Sequence, residues 1–104
     1  MDYYTFFVTV PNFEEGKRIA NVLVESKLAA CVNIVPNLTS IYWWKGKIER
    51  ENELLLIIKT TEKKCDFIIQ KIGEVHSYTN PECVAFRIER GSKKYLDWIE
   101  EVVG

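Results

Sequence analysis

The chain has 104 residues, 47% hydrophobic and 12% aromatic, which is room for one domain with an ordinary core and no compositional break marking a second. Its 14 basic and 15 acidic residues nearly cancel, so no broad cationic field draws in nucleic acid or an anionic membrane, and no acidic tail recruits cations. No run approaches the ~18 uninterrupted apolar residues that cross a bilayer. The start MDYYTFFVTV lacks the basic and unbroken apolar parts of a secretion signal, and three scattered cysteines, Cys31, Cys65 and Cys83, argue against a disulfide framework and for a reducing cytoplasm.

From Tyr3 to Val10 the apolar Tyr4, Phe6, Val8 and Val10 alternate with Thr5 and Thr9, the period of a strand. Pro11 stops it, and Asn12 with Glu15 predicts a boxed cap for a helix running to about Lys27, with Ile19, Ala20, Leu23 and Val24 on its apolar face. A second strand starts near Leu28, is interrupted at Pro36-Asn37 and resumes through Ser40, Tyr42 and Trp44. A proline cannot donate to a central ladder, so Pro36 predicts a bulge or an edge position. Lys45-Gly46 is the hairpin turn, and a third strand climbs from Lys47 through Glu49, Glu51 and Glu53 into the apolar run Leu54 to Ile58. That pattern predicts a buried base and a wetter or interfacial tip.

Thr61 is the candidate cap of a second helix, in which Cys65, Ile68, Ile69, Ile72 and Val75 form a stripe ending near His76. The loop His76-Ser77-Tyr78-Thr79-Asn80-Pro81 leads to a fourth strand around Val84, Phe86 and Ile88. After Gly91-Ser92 a closing helix carries Tyr95, Leu96, Ile99 and Val103, with Trp98 beside them. The order is βαββαβ plus a C-terminal helix, an α+β chain that packs as a ferredoxin-like sandwich, four antiparallel strands with both main helices on one face.

The hairpin is too long for such a domain. Sixteen or so extended residues span about 50 Å, against a radius of gyration of about 13 Å for a compact domain of this size. It must project, and its open edges and apolar side chains then need cover. Three copies, each reaching onto its neighbour, would bury the projecting hairpins and the uncovered sheet faces together, so a homotrimer is expected.

Leu28-Ala29-Ala30-Cys31-Val32-Asn33 with Pro36, then Ser40, Tyr42, Trp44 and Gly46, Lys59-Thr60, His76-Ser77-Tyr78 with Pro81-Glu82, and Gly91 with Tyr95-Leu96 and Trp98 occur in an order that resembles the CutA divalent-cation tolerance family. The resemblance implies a ferredoxin-like homotrimer related in shape to the PII signalling proteins. It also implies tolerance of copper and other divalent cations, with metal binding as the usual proposed activity. The loop departs from the family's usual His-Pro-Tyr-Glu by carrying Ser77 and Thr79, which removes one carboxylate. A first-strand cysteine and a second histidine found in some relatives correspond here to Val8 and Val75.

His76 is the only histidine, so proton transfer or imidazole ligation at cellular pH converges on it. The alternative is a helix-end histidine bonded to backbone. Cys31, His76 and Glu82 could supply sulfur, nitrogen and oxygen to copper or another divalent cation, although no locally fixed ligand pair such as CxxC is present. Cys65 and Cys83 read as core. Lys59, Tyr78, Glu82 and Trp44 are candidates for an inter-subunit cleft holding a small molecule, or for a Lys59–Glu82 salt bridge with aromatic interface anchors. Glu49, Glu51 and Glu53 read as a solvated strand face that discourages strand addition, with weak attraction for hydrated cations as the alternative. No nucleophile stands in an activating motif and no phosphate-cradling glycine loop occurs, so an enzyme is not expected. The leading expectation is a cytoplasmic trimer binding copper or a similar cation weakly. Its rivals are a PII-like binding module and a structural or anchoring trimer.

Overall fold

The computed structural model describes residues 1–104. Strand β1 (Tyr3–Val10) sends Phe6, Val8 and Val10 into the core, as alternation requires. Helix α1 (Phe13–Glu25) starts where Asn12 Oδ1 accepts the Glu15 N–H at 2.8 Å. The box is only half formed, because the Glu15 carboxylate turns away to the loop after the second helix. Ile19, Ala20 and Leu23 are buried while Val24 is 40% exposed, one position off the apolar face. Lys27 adopts φ 59° and closes the helix, with the Leu28 and Ala29 N–H groups both donating to the Leu23 carbonyl. That bonding keeps Leu28 out of the sheet, so the second strand begins later than the sequence pattern suggests.

The hairpin comprises β2 (Cys31–Trp44) and β3 (Lys47–Thr61). Its turn, with φ 49° at Lys45 and 79° at Gly46, has the left-handed pair of a type I′ hairpin. The ladder slips between Val35 and Leu38, and Asn37 has φ 64°: a bulge at the predicted place, on a strand that is also an edge. The extra residue reverses the alternation of β2. Cys31, Asn33 and Val35 share a face before it, and Leu38, Ser40, Tyr42 and Trp44 continue on that face after it.

A single 3₁₀ turn (Glu62–Lys64) precedes α2 (Cys65–Val75), so Thr61 ends β3 and caps nothing; its hydroxyl is buried without a partner. Ile68 and Ile72 are buried and Ile69 is exposed. Strand β4 (Val84–Arg87) is shorter than expected, pairs with β1 on one side only and exposes all four residues in part, and α3 (Lys93–Val103) buries Ile99 and Val103 against Ala30.

The four strands form one antiparallel sheet in the order β2-β3-β1-β4. The main core, Phe6, Val8, Val10, Leu56 and Ile58 with Ile19, Leu23, Ile68 and Ile72, lies between one sheet face and the α1/α2 layer. Helix α3 covers only one end of the opposite face. Pairing of β1 with β3 stops at Val10–Leu54, so the hairpin beyond Leu38 and Glu53 has no third strand. The molecule measures 44 × 25 × 22 Å, the long axis expected of a projecting hairpin. No helix is long and apolar enough to cross a membrane.

Candidate functional site

A cleft of about 610 Å³ lies where the projecting hairpin faces the loop after α2. Ser40 through Trp44 come from β2, Glu51 and Glu53 from β3, and Tyr78 through Glu82 from the loop, with Thr9 at the base. The bulge puts Ser40, Tyr42 and Trp44 on the hairpin face that carries Glu51 and Glu53. Without the extra residue, Tyr42 and Trp44 would stand on the other side of the hairpin.

The loop is held by buried polar bonds. His76, with its side chain wholly buried, makes a 2.7 Å bond from Nε2 to the Thr9 carbonyl, and Nδ1 accepts the Tyr78 N–H at 3.1 Å. A carbonyl can only accept and an amide N–H can only donate, so these partners assign the neutral imidazole with its proton on Nε2. The Glu15 carboxylate accepts the Ser77 N–H at 2.9 Å and lies 3.4 Å from His76 Nδ1. Burial opposes its ionisation, but the Ser77 hydrogen bonds, with the Arg18 guanidinium nearby, outweigh burial and hold the carboxyl below its usual range. Arg18 donates to the Val75 carbonyl. Tyr78 packs against His76 with ring centres 4.7 Å apart and planes tilted by 48°, and donates its hydroxyl to Glu53 Oε2 at 2.7 Å, tying loop to hairpin. Burial first, and the Glu53 bond second, raise the Tyr78 phenol.

Of the sequence-predicted pocket residues, Trp44, Tyr78 and Glu82 line this cleft and Lys59 does not. Lys59 stands on the sheet face opposite the main core, level with Cys31 and Thr5, and bonds Asn33 Oδ1. It forms no ion pair within the chain, with Glu82 or any other acid. The predicted metal set is also separated within one chain. Cys31 lies level with Thr5 and His76 contacts Thr9, four residues or about 13 Å along the sheet. Both ring nitrogens of His76 are committed to backbone, and no three His, Cys, Asp or Glu side chains converge as ligands. A sulfur-and-imidazole copper site therefore does not fit a single chain.

Cys65 and Cys83 pack against the core as expected. Burial, aided by Asp66 and Glu62, pushes the Cys65 thiol up to about 11, and burial with Glu82 pushes Cys83 up to about 11. Val8 is fully buried in the core.

Sequence reasoning missed Glu53 and Glu15. The alternating acids predict a solvated Glu53, but it is 5% exposed and bonded by Tyr78. The spacing from Asn12 predicts a capping Glu15, but its carboxylate bonds Ser77. The partners of both lie 25 and 62 residues away, and no local pattern announces them.

The model of the CutA1 divalent ion tolerance protein family matches residues 4–102. The chain belongs to that family. This CutA1 chain is 48% identical over 97 residues to the divalent-cation tolerance protein CutA of Thermus thermophilus, covering 93% of itself and 94% of that protein. It is 49% identical over 94 residues to the chloroplastic CutA 1 of Oryza sativa, where it covers 90% of itself and spans about half, 53%, of the relative. Among solved structures, the periplasmic divalent cation tolerance protein CutA from Archaeoglobus fulgidus superposes with a TM-score of 0.95 at 46% identity, over 98% of this chain and 99% of that one. The cleft thus belongs to a CutA1 fold.

Proposed function

We propose that this chain acts in divalent-cation tolerance as a cytoplasmic homotrimer of single, ferredoxin-like domains, each binding copper or another divalent cation weakly. The observation that carries the reading is the charge of the cleft. Glu51, Glu53 and Glu82 line it and no lysine, arginine or histidine does. Oxygen donors without imidazole or thiolate suit hard, exchangeable cations, and the absence of three convergent ligands in one chain makes for weak binding or a site completed by a neighbour. The trimer is supported by the uncovered sheet face, the free edge of β4, and the tip residues Ile41 and Trp43, which are 63% and 71% exposed. The family's name and its relatives' names supply the divalent cation. No catalytic role is part of this reading.

Titration calorimetry with Cu²⁺ and with Mn²⁺ tests it. Glu82→Gln and Glu51→Gln are each expected to weaken binding, whereas His76→Ala disturbs the loop first. Binding unchanged in the double glutamine variant would overturn the cleft as the site, and a monomer in dilute sedimentation runs would overturn the trimer.

A PII-like reading, in which the cleft holds a small molecule, is favoured by its aromatic walls, Tyr42, Trp44 and Tyr78. With Lys59 outside it, the cleft has no cation for an anionic metabolite. The ligand in this reading is neutral or positive.

A further inference from the structure

We propose that the inner part of the cleft is a binding site for an organic ammonium ion. Three observations meet there. Glu53 is 5% exposed yet has no counter-ion within its own chain, since it enters no salt bridge there and its carboxylate accepts one bond, from the neutral Tyr78 hydroxyl. Buried carboxylates are normally paired with a cation, and this one has none in its chain and faces the cleft. Second, Tyr42, Trp44 and Tyr78 line the same space, and aromatic faces attract alkylammonium groups through the ring quadrupole. The chain displays that attraction at the outer end of the cleft, where Lys45 Nζ sits 5.7 Å from the Trp44 ring centre. Third, Glu51 and Glu53 line the cleft with no basic residue, and these carboxylates add to burial, the larger cause, in raising the Tyr42 phenol.

The same features select against other ligands. An anion meets three carboxylates and no base. A bare metal ion needs several convergent donors, which a single chain lacks. An ammonium needs one carboxylate for its charge and aromatic surface for its carbons, and at about 610 Å³ the cleft has room for a short alkyl chain. The inference goes beyond the divalent-cation reading and does not depend on it, because a hydrated metal at the rim carboxylates Glu51 and Glu82 and an ammonium at Glu53 are separate events. The ammonium could be a free small amine or the lysine side chain of a partner protein.

The test is a titration of the assembled, chelator-treated protein with propylammonium chloride, read by calorimetry and tryptophan fluorescence, with sodium chloride at equal ionic strength as control. Saturable binding of propylammonium alone is expected, weakened at least about tenfold by Glu53→Gln, which keeps an acceptor for Tyr78, and about fivefold by Trp44→Leu. A sodium response equal to the propylammonium response, or Glu53→Gln binding as tightly as the native chain, overturns the proposal. Should Glu53→Gln fail to fold by circular dichroism, Trp44→Leu decides alone: weakened binding supports the site and unchanged binding overturns it. Preference for propylammonium over Nα-acetyl-lysine methyl ester assigns a free amine, and the reverse preference a protein lysine. Chelation keeps the outcome independent of the copper titration.

Discussion

Leu54–Thr61 and Lys47–Glu53 are two halves of one strand. The first lies between β1 and β2 and buries Leu56, Ile58, Thr60 and Thr61, while the second pairs with β2 alone and is exposed until Glu53. The hydrogen-bond ladder runs through both halves, so backbone pairing does not distinguish them. What differs is what stands on their faces. The base is packed between helices and sheet, and the tip meets only the loop after α2, through a single buried carboxylate. The base is built to fold the chain, and the tip to meet something else.

Substitutions can break that contrast, the largest effect falling at the base. Leu56→Ala opens a cavity in a fully buried position and is expected to lower stability by about 2–5 kcal/mol, measured by urea unfolding at fixed protein concentration. If the loss is no larger than for an exposed residue, the base is not the core. Tyr78→Phe, at the junction, removes the only hydrogen bond to the buried Glu53 carboxylate and should cost about 1–3 kcal/mol in the same assay. A smaller, pH-dependent effect belongs to Glu15. Its carboxyl is held below its usual range in the folded chain, so it contributes stability above the unfolded value near about 4.3 that is lost as pH falls through the lowered folded value. Glu15→Gln should therefore flatten the acid limb of a stability–pH profile, and an unchanged limb would remove Glu15 from the loop's anchoring. At the tip, Trp43→Ser should change the folding stability of the single chain by less than about 0.5 kcal/mol. Its effect is expected in the concentration dependence of sedimentation, where the proposed trimer loosens.

The same contrast explains how much could be read from sequence. Alternation and helical spacing located the elements because the core repeats locally: Phe6, Val8 and Val10 on one strand, Ile68 and Ile72 on one helix. Pro36 announced the bulge because a proline's missing donor is a property of the residue itself. The errors sit where a side chain has two possible partners. Asn12 and Glu15 fit a capping box, but Glu15 bonds Ser77; Thr61 fits a cap, but a 3₁₀ turn intervenes. Trp44, Tyr78 and Glu82 line one cleft within the chain, whereas the register places Lys59 and Cys31 towards the other end of the sheet. Glu53 was legible only as one of three alternating acids, since its burial depends on Tyr78 arriving from another part of the chain.

The single extra residue at Pro36-Asn37 has a further effect on how this strand tolerates change. Inward and outward positions are odd and even numbers on one side of the irregularity and exchange on the other. A saturation mutagenesis profile along β2 should therefore show a two-residue rhythm whose phase jumps at this point. Deleting Asn37 would turn the distal aromatics over as a set, emptying the cleft of Tyr42 and Trp44 without altering either residue.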